Sequence, residues 1–579
     1  MIDDRYADAF GNPVIVSDAT MAAMRDALGE ETGNAPAVRV VRIDRLDAPV
    51  EIGYYDNLIV VPERAYVPPE LETQPAWGIA AQLYSLRSAH NDGIGDFGDL
   101  AQLASMAGQL GASTVALNPL HELHLSNPPA ASPYAPLSRR YLNALYIDVR
   151  AAAAEFGVSL EGFDTGALQD APLVEYRGVA AYKLDALERC YEHLRERRPW
   201  QDFAADNPGL RDVARYEAIM EELSALDDDV YSWQQWPAQL QDARSVAVER
   251  FAAQHADRVE FFVFLQWLAD RQLASAARTA SAMPIGLYRD LAVGVDLASA
   301  DVWSDPSAYA LGLSVGAPPD PLNAAGQNWG LPPFHPRVLR ERAYQPFVEL
   351  LRANMRHAGA LRIDHVMGLK RLFCIPRALP DGGGAYVNYD FDAMLGIVAL
   401  ESVRNRCMIV GEDLGTVPDG FRERTTEARV FSCRVLYFER EWDGRFRAPG
   451  DYPAEAVAST GTHDLPTLAG WWAAADGTTR EQLLDALRSA GIEVDGDQLT
   501  SLRAGAYRYL ARSRSRLVLL QLEDGIGSFD QVNVPGTVDE EPNWQRKLAV
   551  PVDALAAHPI FTAIVRALRE ERPREGGSG

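Results

Sequence analysis

Residues 359–365 read GALRIDH, residues 407–413 read CMIVGED, and residues 456–464 read AVASTGTHD. Each is a short apolar run that closes on an acid: Asp364, Glu412 and Asp464. A short apolar run bounded by polar and turn residues has the pattern of a strand buried on both faces. Strands of that kind belong to parallel sheets, and a parallel barrel brings the ends of its strands to one mouth. Three carboxyl groups collected there suit glycosidic-bond chemistry. That chemistry needs one carboxylate to attack or stabilise and one carboxylic acid to protonate the leaving oxygen.

Outward from these three, the same pattern recurs at 76–86, 113–120, 284–295, 433–439 and 516–524. Between most of the runs lie amphipathic stretches of helical length, such as FGDLAQLASMAGQLGA at 97–112. Eight alternations of strand and helix predict an α/β chain folded as a (β/α)₈ barrel over residues 76–570. The long gap at 121–283 is mostly helix-like and predicts an inserted helical subdomain that walls the mouth. Residues 15–30 predict a helix capped by Ser17 or Asp18 and stopped at Gly29. VRVVRI, VEIGYY and NLIVVP read as strands, and VPPELETQPAW reads as a linker. Residues 1–75 are therefore expected to form a small N-terminal domain, and residues 571–579 a flexible tail.

Composition narrows the function. The 579 residues carry 55 Lys and Arg against 81 Asp and Glu, a net charge of −26. That field repels nucleic acid and anionic membrane and suits a neutral substrate. The N-terminus, MIDDRYADAF, lacks an apolar signal segment, and no run is long and apolar enough to span a membrane, so a cytoplasmic location is expected. The four cysteines, Cys190, Cys374, Cys407 and Cys433, show no metal-ligand spacing, and Cys407 and Cys433 read as core thiols. No Ca²⁺ loop or phosphate loop is present, so neither a metal nor a cofactor is expected.

In chain order the sequence also carries QLYSLRS with GIGDFGDL, LNPLHEL, SPYAPLSRRYLNALYIDV, LYRDLAVGV, GAPPDPLNAAGQNWGLPP, LRIDHVMGL, GEDLGTVP, STGTHDLPTLAGWW, and QLEDGIG followed by QVNVPGTVDEEPNW. This set resembles the amylomaltases, the 4-α-glucanotransferases of glycoside hydrolase family 77, and their MalQ-type bacterial branch in particular. The likeness runs from about Tyr6 to Leu548, with a shorter region ahead of QLYSLRS than long MalQ-type relatives carry. It implies roles at matching positions. Asp364 is the expected nucleophile, with Arg362 on the same face of its strand to pair with it. Glu412 is the expected general acid/base, with a pKa raised by burial and by Asp364, while Asp413 points away as a loop anchor.

Asp464 is the expected third carboxylate, and His463 and His365 are expected to donate to sugar hydroxyls. Tyr134 and Trp329 are the expected stacking platforms. Gln327 would lie beside them and Asn533 across the cleft, with residues 317–333 arching over the mouth. Trp233, Trp236 and Trp267 read as core. The resemblance implies a retaining enzyme that disproportionates α-1,4-glucans, passing maltooligosaccharyl units to glucose or another glucan. The alternatives are an α-glucan hydrolase of the amylase clan, which would release glucose and maltose only, and a non-catalytic glucan-binding barrel, which would have lost one of the three acids.

Overall fold

The computed structural model describes residues 1–574 except 9–10, 30–37, 47–49, 126–130, 228, 320–325, 381–382, 497 and 539. The eight apolar runs are the eight strands of a closed barrel: β1 (Ala76–Ala81), β2 (Thr114–Leu117), β3 (Gly286–Leu291), β4 (Ala360–Ile363), β5 (Met408–Gly411), β6 (Phe431–Val435), β7 (Ala456–Ser459) and β8 (Leu517–Gln521). Every neighbouring pair is parallel, and β8 closes on β1. The sixth strand starts two residues earlier than its run, at Phe431, and gives way to a 3₁₀ turn at Leu436–Phe438.

Aliphatic and aromatic side chains fill the barrel: Ala116, Tyr288, Ala360, Met408, Val410, Phe431, Val457 and Leu519 share one core cluster. Val67 and Leu71 belong to the same cluster. The Pro-rich stretch expected as a linker therefore plugs the barrel end opposite the strand C-termini. Its short helix, Pro69–Thr73, is fixed there by Arg516, which donates to the carbonyls of Leu71 and Glu72. At the mouth end, Gly411 is needed for close approach. A Cβ there would lie 2.8 Å from the Val366 side chain, so only glycine lets the residues after β4 cross the end of β5.

The stretch 121–283 is mainly helical, with a two-stranded ribbon (His121–Glu122 and Ser138–Leu142) at its start. Its last helix, Ala256–Ala280, packs on the barrel helix Phe97–Gln109 and belongs to the outer ring rather than to the insertion. Trp236 and Trp267 are buried, as their helical surroundings suggested, and Trp233 packs partly buried against two apolar clusters.

Two arrangements depart from the sequence reading. First, loops after β3 and β4 build an unanticipated antiparallel sheet in the order Gln327–Asn328, Leu313–Ala317, Arg371–Pro376, Ala385–Asn388. Second, among the described residues of the first 75, the elements join apolar clusters borne by the barrel. The helix Asp18–Leu28, capped by Ser17 and ended at Gly29, packs with Ile2 and Tyr6 on this antiparallel sheet. The three-stranded sheet Arg39–Arg42, Leu58–Val61, Gly53–Tyr55 packs instead on the barrel helix Phe391–Asn405. Each piece has one apolar face and buries it on the nearest barrel-borne surface, because neither is large enough to bury it alone.

The chain end also departs from expectation. Arg572 is 2% exposed and donates to the carbonyls of Ala511, Ala76 and Ser513, so the chain is docked through this point. Residues 575–579 of the expected tail lie outside the described residues. No helix among the described residues is long and apolar enough to cross a membrane.

Candidate active site

The strand register decides which acids meet. Asp290 on β3 pairs with Arg362 on β4, and Ile363 pairs with Gly411 on β5. Asp364 and Glu412 are each the next residue beyond that last pair. They leave neighbouring strands that run about 4.8 Å apart.

Arg362 sits between two carboxylates. Its Nη1 donates to both oxygens of Asp290 at 2.8 and 2.7 Å, and its Nη2 lies 2.8 Å from Asp364 Oδ1. Asp290 also accepts from the Tyr134 hydroxyl at 2.6 Å. Burial pushes the Asp290 carboxyl up against the pull of Arg362, and Asp364 adds to the upward push. One guanidinium thus serves both acids, and its rigid fork fixes where Asp364 points.

Glu412 is held differently. Its Oε2 accepts from the backbone N–H of His365 at 3.0 Å, and its Oε1 from that of Leu414 at 2.6 Å. Burial pushes its carboxyl up to about 7; Arg362 opposes the shift and Asp364 adds to it. A carboxyl with that pKa is available both as acid and as base near neutrality. The next residue, Asp413, is spent on structure: it accepts from Arg422 at 2.7 Å and from the backbone of Cys433 at 3.0 Å.

Asp464 lies on the turn after β7, beside His463, whose Nε2 is 3.2 Å from Asp464 Oδ2. Asn533 donates to Asp464 Oδ1 at 2.6 Å. Burial would raise the Asp464 carboxyl, but His463 and Asn533 outweigh it and hold it below its ordinary value. Burial likewise pulls His463 down, and Asp464 more than reverses this. The ring of His463 stacks on Tyr134, with centroids 4.7 Å apart. A chain of contacts thus runs Asp364–Arg362–Asp290–Tyr134–His463–Asp464–Asn533.

Carboxyl groups of contrasting surroundings on adjacent strand ends, at the C-terminal mouth of a parallel barrel, are an arrangement able to supply a proton and a nucleophile. The sequence model of the 4-alpha-glucanotransferase family, glycoside hydrolase family 77, matches residues 81–552. The chain belongs to this family. The 4-alpha-glucanotransferase of Haemophilus influenzae is 37% identical over 572 residues, spanning 87% of this chain and 81% of its own length. That of Mycobacterium tuberculosis is 38% identical over 543 residues, spanning 85% and 74%. The crystal structure of amylomaltase from Corynebacterium glutamicum superposes with a TM-score of 0.84 at 27% identity, covering 98% of each chain.

Within this glycoside hydrolase family 77 barrel, one expected binding residue, Tyr134, is placed otherwise than the sequence suggested. Tyr134 does not offer an open stacking platform: one ring face lies on His463, Trp544 approaches at 5.5 Å, and the hydroxyl is committed to Asp290. Asn533 holds Asp464 directly. Gln327 accepts from the indole N–H of Trp329 at 2.9 Å, which fixes the ring. Trp329 keeps its place at the mouth, edge-on to His365 at 5.4 Å. It follows the strand Gln327–Asn328 of the antiparallel sheet; residues 320–325 of the expected arch lie outside the described residues.

Asp290 is the residue that sequence reasoning missed. It lies inside the run LYRDLAVGV rather than at its end, so the strand-end signal that marked the other acids was absent. Among the described residues no group of three His, Cys, Asp or Glu side chains could hold a metal ion.

Proposed function

We propose that the protein disproportionates α-1,4-glucans with retention at the anomeric carbon, and that Asp364 and Glu412 carry the chemistry. Protonated Glu412 gives its proton to the glycosidic oxygen while an Asp364 oxygen attacks the anomeric carbon. The C–O bond to the leaving sugar breaks, and a glycosyl ester to Asp364 forms. The released sugar departs with that proton. Glu412, now ionised, takes the proton of the 4-hydroxyl of glucose or another chain. That oxygen displaces Asp364 and forms the new α-1,4 bond. Asp464, kept ionised by His463 and Asn533, binds sugar hydroxyls and favours the flattened, oxocarbenium-like ring. His365, His463, Gln327 and Trp329 complete the contacts, and Tyr134 positions Asp290 and His463.

The observation that carries this reading is the contrast between the two neighbouring acids: Asp364 lies 2.8 Å from an arginine and Glu412 is pushed up to about 7. Family membership favours transfer over the hydrolase alternative. We further propose maltooligosaccharides, glucose and α-1,4-glucans as the substrates, in cytoplasmic maltose and glycogen metabolism.

A trapping experiment tests the assignment. A glucosyl fluoride leaves with little protonation, so Glu412→Gln should still load Asp364 and then stall for want of a base. Asp364→Asn should never load. Intact-protein mass spectrometry should show an added glycosyl mass on the first variant and none on the second. Label on both, or label mapped to another residue, would overturn the assignment. Product of inverted configuration, or glucose and maltose without longer chains from concentrated maltotriose, would overturn the reaction.

A further inference from the structure

Five large aromatic side chains are exposed among the described residues: Tyr55, Tyr231, Phe438, Trp442 and Phe529. Three of them, Phe438, Trp442 and Phe529, sit on the loops after β6 and β8. Those loops flank the turn that carries His463 and Asp464. On one side Tyr437 stacks on Trp471 at 4.8 Å and donates to the Pro466 carbonyl at 3.2 Å. On the other, Thr467 donates to the Ser528 carbonyl at 2.8 Å and Gln531 to that of Asp464 at 2.9 Å. The loops that bear the exposed rings thus lie against the turn that carries His463 and Asp464.

Trp442 stands out because its side chain is spent on nothing in the fold: it is 96% exposed. A large apolar ring so placed gives the folded state no burial energy. Its backbone, by contrast, is fixed. Glu441 and Arg445 share a tight turn closed by the hydrogen bonds Glu441 N–H to Arg445 O at 2.8 Å and Gly444 N–H to Glu441 O at 2.9 Å. Gly444 takes a φ of 84°, as that turn requires. Arg440 braces the base, donating to the Gly444 carbonyl at 2.9 Å while its guanidinium lies 3.6 Å over Phe446. The result is a rigid post with an indole at its tip. The backbone of the turn is ordered in advance, so a ligand that stacks there has only the indole's own rotamers left to fix.

We propose that Trp442, together with Phe529 (55% exposed), forms an outer platform for α-glucan chains that extend past the sugars undergoing transfer. This rests on the reading of the site given above and adds to it a preference for long chains. The occupant follows from continuity with the mouth and from chemistry. The apolar faces of pyranose rings stack on aromatic rings without needing a charge, and no ion pair or hydrogen bond of the Trp442 side chain suggests a charged partner.

The test compares a short and a long substrate on the full-length protein. Trp442→Ala and Phe529→Ala should each raise KM for amylose about two- to tenfold, the size of one lost aromatic contact, while kcat and KM for maltotriose stay at wild-type values. KM for amylose unchanged in both variants would overturn the proposal. So would an equal loss on both substrates, which would make the rings part of the inner site. Sedimentation velocity covers the rival occupant, a second copy of this chain. An oligomer that dissociates in Trp442→Ala with amylose kinetics unchanged assigns the ring to self-association and overturns the glucan platform. Failure of the underlying reading looks different: the wild-type protein would then make no longer chains from maltotriose.

Discussion

Asp290→Asn isolates the arrangement that sequence reading missed. The substitution keeps the shape and removes the charge. Asp290 receives Arg362 Nη1 at both oxygens and the Tyr134 hydroxyl at 2.6 Å. An amide has one oxygen acceptor, so it can keep Tyr134 or Arg362 but not the present set. The loss is one charge-assisted hydrogen bond, about 1.5–3 kcal/mol. Arg362 retains Asp364, so it is not stranded, and its second Nη is then free to swing onto the same carboxylate. Fuller pairing makes Asp364 a poorer nucleophile. If the lost interaction appears wholly in the transition state, kcat/KM for maltotriose falls about 10- to 150-fold. Stability should barely change, because the variant also removes a carboxylate that burial disfavours. Steady-state kinetics and a melting curve check both halves. Activity within twofold of wild type would refute the bridging role. So would a loss of activity matched by a melting point many degrees lower, which would make Asp290 a structural residue only.

Glu412 at about 7 predicts that kcat/KM for maltotriose falls as pH rises through neutrality, because the first step needs the protonated carboxyl. Loading from a glucosyl fluoride should lack that limb. The folded-state pKa lies above the unfolded value of 4.5, so stability is lost as pH rises from there to about 7, where the loss is complete, and Glu412→Gln should raise the melting point more at pH 8 than at pH 5. Asn533→Ala removes the 2.6 Å contact to Asp464 and should lower kcat/KM about tenfold with an unchanged melting point; activity within twofold of wild type would count against it. Gly411→Ala drives a methyl group to within 2.8 Å of Val366 and should cost about 1–3 kcal/mol in a denaturant titration, a cost that Val366→Ala in the double variant should largely restore.

The barrel was legible because parallel strands are buried on both faces, and runs such as CMIVGED show that as unbroken apolar character. Asp364 and Glu412 were legible for the same reason: each polar residue appears where burial stops. Asp290 was not, since its strand keeps apolar residues beyond the acid, and only the register opposite Arg362 places it at the mouth. The antiparallel sheet was hidden because LSVGA and RLFCIP are short and sit among glycines and prolines, where pattern alone reads loop. The helix and strands of the first 75 residues were visible, but not their partners. Periodicity gives each piece an apolar face without saying which surface will cover it. Arg572 shows the same limit, as nothing in ERPREGGSG distinguishes a guanidinium that binds buried carbonyls from one in solvent. Tyr134 was expected to stack on sugar because aromatic chemistry suggested it; its hydroxyl found Asp290, a contact set by tertiary structure.

Both oxygens of Glu412 are gripped by main-chain donors, those of His365 and Leu414. Side chains at these two positions are therefore free to vary without unseating the carboxyl, and only proline, which lacks the N–H, removes a grip. His365 takes a left-handed φ of 46°, a shape that further narrows what position 365 tolerates. Inheritance can thus retune the surroundings of this acid, and with them its reach toward different sugars, while its aim stays encoded in the path of the chain rather than in any replaceable neighbour.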